Sequence, residues 1–86
     1  MIEHINEQIE CICVYKKTTP SVLPYKIKWN GRVYKIEKLG YHHKRRDGRY
    51  VFHIFSVATD SLAFKLKLDT ETLKWWVEEV SDGSAS

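Results

Sequence analysis

No apolar run in the 86 residues comes near the roughly 20 that a membrane-spanning helix requires, which excludes a helical anchor and leaves no membrane partner expected. The first residues, Met1-Ile2-Glu3-His4-Ile5-Asn6-Glu7, lack both the basic start and the apolar stretch of a secretory signal, so a cytoplasmic location is expected. Cysteine is confined to Cys11 and Cys13, two apart on a predicted strand. That spacing suits neither an unstrained mutual disulfide nor a zinc site, whose cysteine pairs sit further apart and come with a second pair. Both are expected to be ordinary buried thiols. Acidic residues are scarce in one place: between positions 16 and 67 there are thirteen Lys and Arg against Glu37, Asp47 and Asp60, while both ends of the chain are acidic. A basic middle attracts polyanions, and it also solvates sheet faces and guards sheet edges.

Catalytic signatures are missing as well. There is no glycine-rich phosphate loop, no nucleophile elbow, no His-Glu-x-x-His and no acidic cluster with metal-ligand spacing. The nearest thing to a chemical site is His42 placed across a hairpin from His53, with His43 and His4 as outlying imidazoles. A polar hairpin surface is the simpler account of these residues. No enzyme activity, metal or cofactor is expected, and no small-molecule substrate is inferred.

What the sequence does contain is a hairpin. In Tyr25-Lys26-Ile27-Lys28-Trp29-Asn30-Gly31-Arg32-Val33-Tyr34-Lys35-Ile36, apolar and basic residues alternate on either side of Asn-Gly, the strongest short-range hairpin signal. A two-residue type I′ turn sets Trp29 opposite Arg32, Ile27 opposite Tyr34 and Tyr25 opposite Ile36 on a core-facing side. Lys26 then lies opposite Lys35, and Lys28 opposite Val33, on a solvated side. An Arg32 guanidinium over the Trp29 ring is the expected local role for that pair.

Around this hairpin the pattern predicts further strands. Ile9 to Tyr15 is apolar on both faces. Ile2, Ile5 and Ile9 have helix-like spacing, leaving room for a short N-terminal helix. Gly40 marks a bulge that turns Leu39 inward. Asp47-Gly48 is a second two-residue turn candidate, pairing Arg46 with Arg49 and His42 with His53. Tyr50 to Ala58 is the most apolar strand, and its second face, with Tyr50, Phe52 and Ile54, needs a cover. Leu62, Phe64, Leu66 and Leu68 alternate with Ala63, Lys65 and Lys67. Leu73 to Val80 closes the sheet with Trp75 and Val77 inward and Trp76 outward. The fold class is all-β: a small antiparallel meander of five or six strands curled into an SH3-like, partly open barrel, with a twisted sheet under an N-terminal helix as the alternative. Residues 1–80 read as one domain and 81–86 as a disordered tail.

The set Pro24-x-x-Ile27-x-Trp29-x-Gly31-Arg32-x-Tyr34-x-Ile36-x-x-Leu39, followed by Phe55-x-Val57, Phe64-x-Leu66-x-x-Asp69 and Trp75-x-Val77, resembles an uncharacterised family of small bacterial domains. Some members of that family are encoded near translesion DNA polymerases. The resemblance implies at most an accessory role in DNA repair or damage tolerance, and the chain departs from the family at His42–Arg49 and in its longer N-terminus.

The function expected from these residues is a non-enzymatic binding module. A protein–protein interface, with a partner or a second copy, would use Tyr50, Phe52, Ile54 and Trp76. The alternative is nucleic-acid contact through Lys26, Lys28, Lys35, Lys44, Arg45, Arg46 and Arg49, with Trp76 stacking on a base.

Overall fold

The computed structural model describes residues 2–82, and these form seven antiparallel strands in one sheet. They are β1 (Ile2–Tyr15), β2 (Val22–Trp29), β3 (Arg32–Lys35), β4 (Lys38–Asp47), β5 (Tyr50–Ala58), β6 (Leu62–Asp69) and β7 (Trp75–Asp82). The spatial order is β3-β2-β1-β7-β6-β5-β4. There is no helix among the described residues, so none is long and apolar enough to cross a membrane.

The all-β class holds, with seven strands rather than five or six, and without the N-terminal helix. Ile5 and Ile9 are four apart, a spacing that suits one face of a strand as well as one face of a helix. Both pack on the core, while Ile2 points outward and is exposed. What decides for strand is partners: β1 pairs β7 from Ile2 to Ile9 and then β2 from Glu10 to Tyr15. At the other end, Ser81 and Asp82 belong to β7, opposite Ala63 and Leu62, and not to a tail; positions 83–86 lie outside the described residues.

A flat sheet of seven strands would be about 29 Å wide and a single layer thick. The molecule measures 33 × 26 × 26 Å, so the sheet is strongly coiled. The two edges, β3 and β4, are not hydrogen-bonded to one another, and the sheet does not close into a barrel. They are joined end to end through residues 36–37, where the Ile36 N–H donates to the Tyr25 carbonyl and the Glu37 N–H to that of Ala58. The β2–β3 arm therefore folds over the inner face and reaches β6. Trp29 and Tyr34 meet Phe64 edge to face, with centroids 5.6 and 5.2 Å away. Ile27, Phe55, Leu66 and Val77 are fully enclosed beneath.

The Asn30-Gly31 turn has positive φ at both residues (56° and 76°), and every predicted pair of the hairpin is in register. Tyr25 departs from its predicted inward place, because it is the extra residue of a bulge between the Cys13–Pro24 and Ile12–Lys26 pairs, and it is exposed. Arg32 lies over Tyr34, 5.3 Å from the ring centroid, instead of over Trp29. The bulge at Gly40 is present between the Leu39–Val57 and Tyr41–Ser56 pairs, but Leu39, expected inside, is exposed at the sheet edge. The β4–β5 turn differs from its prediction. Gly48 takes the positive φ (63°) as the first of two central residues, so Asp47 pairs with Tyr50 and the register moves: His42 is opposite Phe55, and Lys44 opposite His53.

Gly31 has open space where a Cβ would be, so any cost of substitution there comes from its left-handed backbone alone. Gly31→Val is expected to destabilise the fold by about 1–2 kcal/mol, measured as a shift in the urea midpoint at unchanged m-value.

Candidate interaction surface

The outer face of the coiled sheet divides into two halves of different character. The half built by β4 to β7 has its aromatic side chains capped around Ile54, while at its other end a shallow depression of about 510 Å³ lies over the small side chains of Gly40, Ser56, Ala58 and Ala63. Ile54, proposed above as an interface residue, is 0% exposed and offers nothing to a partner. Its cross-strand neighbours are His43 and Lys67. The Lys67 ammonium sits 5.1 Å from the Phe52 ring centroid and 5.4 Å from that of Trp76, capping both half-buried rings. Tyr50 is exposed, with the Arg49 guanidinium 5.4 Å from its ring centroid. Within the chain, Phe52 and Trp76 of the expected apolar patch are thus capped by Lys67, Ile54 is buried, and Tyr50 stays exposed.

The covering is held by a bulge that strict alternation does not foresee. Between the Lys65–Glu79 and Leu66–Val77 pairs, β7 carries Glu78 as an extra residue. Val77 and Val80 both point inward as a result, and Glu78 and Glu79 both point outward. Arg45 grips Glu78 with two bonds, Nη1 to Oε2 at 2.8 Å and Nη2 to Oε1 at 2.9 Å. Lys67 approaches the same carboxylate at 3.9 Å, and Lys65 and His4 approach Glu79 at 3.8 and 3.5 Å. Burial pushes the Glu78 carboxyl up, but the Arg45 hydrogen bond and the charges of Arg45, Lys67 and Lys65 outweigh it and hold the group below its usual value.

The half built by β1, β2 and β3 is open. Its outward rows run Glu10–Lys28–Val33 and Ile12–Lys26–Lys35, with Val14 beyond. Ile12 is 61% exposed, Val33 60% and Val14 48%. Glu10, Ile12, Lys26, Lys28 and Val33 line a shallow depression of about 190 Å³. Among the described residues, none of Lys26, Lys28 and Lys35 has a carboxylate within 4.0 Å. Sequence reasoning marked the lysines and the two-faced character of residues 9–15, yet missed this strip. The alternation of Ile12 and Val14 was legible, but their lack of a cover was not.

The other basic candidates lie elsewhere. Lys44, Arg46 and Arg49 are exposed at the β4–β5 tip, which is tied to the end of β6 by the Thr70 hydroxyl donating to the Val51 carbonyl at 2.7 Å. The β2–β3 arm meets β6 at Phe64, about 17 Å of strand from Asp69. The predicted nucleic-acid residues therefore form two separate groups, with Arg45 engaged by Glu78 and Trp76 beneath Lys67.

Two features carry possible chemistry. His42 Nε2 and His53 Nδ1 share a hydrogen bond of 2.8 Å on the inner face beside Phe55. Burial first, then neighbouring positive charge (His43 and Lys44 for one, His42 and Lys44 for the other), holds both imidazoles below the ordinary 6.5. Among the described residues no three His, Cys, Asp or Glu side chains group as metal ligands. Cys11 and Cys13 pack against the core as free thiols, and burial, with Cys13 nearby, pushes the Cys11 thiol up to about 12, so it stays protonated at neutral pH. No protein-family model, curated protein or solved structure matches the chain.

Two predictions follow from these contacts. Arg45→Ala removes the principal partner of a carboxylate that is only 11% exposed. Because Arg45 itself is partly solvated, the expected loss is about 1–2 kcal/mol, diminishing in high salt, read by denaturant titration. For the histidine pair, the folded state binds fewer protons than the unfolded chain below pH 6.5. Stability is therefore greatest above that value and is expected to fall as the pH drops below it, with His53→Phe flattening the slope.

Proposed function

We propose that the chain is a non-enzymatic protein-interaction module that holds an acidic, aliphatic-bearing partner against the outer face of β1, β2 and β3. The observation that supports this reading is the strip itself: Ile12, Val14 and Val33 exposed on adjacent strands, interleaved with lysines that have no carboxylate of their own. Apolar side chains left in water favour burial by a partner, and unpaired lysines select one of opposite charge. Self-association through this face would set lysine against lysine, so the partner is a different chain. The coiled sheet acts in this reading as an SH3-like, partly open barrel whose β2–β3 arm presents the strip. An accessory role in DNA repair or damage tolerance, the implication of the family resemblance, is compatible with such a module.

Nucleic-acid binding is the competing reading, and the separation of the two basic groups weighs against it. A single strand would have to track from the β2–β3 face to the β4–β5 tip, and Trp76 is not free to stack.

The test is selection from a displayed random-peptide library against the immobilised protein. Recovered binders are expected to be rich in carboxylates and aliphatic residues. They should lose about tenfold in affinity, about 1.4 kcal/mol, against Lys26→Glu and against Ile12→Asp. A library that yields no binder overturns the proposal, as does single-stranded DNA that binds more tightly than any recovered peptide and is released by Lys44→Glu.

A further inference from the structure

We infer that β3 is a docking edge, onto which the partner adds an extended segment as an eighth strand with a carboxylate and an aliphatic residue at alternate positions. The inference rests on the interaction reading above and specifies the form the partner takes.

The backbone supplies the first part of the argument. In a hairpin closed by a two-residue turn, the pair flanking the turn exchanges both hydrogen bonds, and bonded and non-bonded pairs then alternate. Trp29–Arg32 is the flanking pair, so Ile27–Tyr34 and Tyr25–Ile36 are also bonded, as the 2.8 Å bond from the Ile36 N–H to the Tyr25 carbonyl bears out. Val33 and Lys35 are the non-bonded positions, and their N–H and C=O groups point away from β2. The next residue in that phase, Glu37, does find a partner on that side, the Ala58 carbonyl. Among the described residues Val33 and Lys35 find none. No strand other than β2 brings a Cα within 8 Å of β3.

Side chains supply the rest. An added strand lies about 4.8 Å from β3, and its outward side chains neighbour those of Val33 and Lys35. An aliphatic residue beside Val33 extends the strip formed with Ile12. A carboxylate beside Lys35 meets a lysine whose cross-strand neighbour is Lys26, a like-charge pair that an anion relieves. On the inner side the same strand would pass the exposed Arg32. At the far end of the sheet β4 is protected: the Gly40 bulge bends it, and its outward Arg45 is committed to Glu78.

The experiment uses the full chain, labelled with nitrogen-15, and the blocked peptide Glu-Thr-Val-Thr-Glu-Thr-Val as probe. Val33 and Lys35 amides are expected to shift and to exchange more slowly with solvent when the peptide is added. Two N-methylated versions of the peptide, one for each alternate set of amides, separate pairing from simple contact, because successive N–H groups of a strand point to opposite sides. Methylation of the set facing β3 should weaken binding by about tenfold or more, and methylation of the other set should leave it unchanged. Val33→Pro removes an outward donor without touching the bonded pairs, and is expected to abolish binding while the Ile36 amide stays protected; Val33→Ala should weaken it only in part. If both methylated peptides bind equally well and Lys26→Glu still weakens them, the peptide lies on the face without pairing: the edge inference fails and the interaction reading stands. If no peptide perturbs any residue of β1, β2 or β3, both fail.

Discussion

The inner face exists because the β2–β3 arm lies down on Phe64. A seven-stranded sheet with one apolar face must cover that face or aggregate, and the described residues include no helix to do it. The arm does it, with Trp29 and Tyr34 arriving edge to face on one ring of β6. That placement needs the Asn30-Gly31 turn to hold the arm's register, since a slip of one residue would move Trp29 and Tyr34 to the solvent side and bring Lys28 and Val33 in. It also needs β1 to bend from β7 to β2 along its length, which makes the N-terminal residues a strand that belongs to both halves of the sheet. Among the described residues the buried indole N–H of Trp29 finds no acceptor, a cost set against three mutually packed rings.

Where a turn and an alternation reinforce one another, the sequence was readable. The hairpin register, the inward Leu62–Leu68 series, the Gly40 bulge and the inward placing of Trp75 and Val77 all came from that agreement. Elsewhere two patterns were degenerate. Isoleucines four apart look alike on a helix and a strand, and only the β7 and β2 ladders distinguish them. Asp47-Gly48 and Gly48-Arg49 both put the glycine in a tight turn, and the choice between them moves every pair of the β4–β5 hairpin. Bulges at Glu78 and Tyr25 carry no glycine to announce them, so the two outward glutamates and the exposed tyrosine were not foreseeable from alternation.

The interaction strip was half legible for a related reason. Which residues face outward follows from period two, and Lys26, Lys28, Val33 and Lys35 were placed correctly. Whether an outward apolar residue is covered depends on long side chains from strands distant in sequence. Ile54 and Ile12 look equivalent in the sequence: each is an isoleucine on the second face of an apolar strand. In the fold, Ile54 lies between His43 and Lys67, the latter drawn toward Glu78 of the β7 bulge, and Ile12 has only Lys26 beside it in its row.

That difference decides how charge is used on the two halves. On β4 to β7, the two adjacent glutamates gather Arg45, Lys65, Lys67 and His4 around them, and Lys67 lies over the Phe52 and Trp76 rings. On β1 to β3 the only outward acid in the rows is Glu10, whose cross-strand neighbour Lys28 lies outside ion-pair distance. Without a carboxylate to anchor them, Lys26, Lys28 and Lys35 have no reason to lie across Ile12 and Val33, and mutual repulsion of Lys26 and Lys35 holds them apart. A bulge that doubles the acids on one side of β1 therefore gathers basic side chains there, with Lys67 held over the Phe52 and Trp76 rings. The same scarcity of acid on the other side leaves aliphatic surface, ammonium groups without a carboxylate among the described residues (Lys26 lies 5.7 Å from the Tyr25 ring centroid) and the outward backbone groups of β3 next to one another. A partner that brings carboxylates to this half would complete there the kind of lattice that the chain completes for itself on the other.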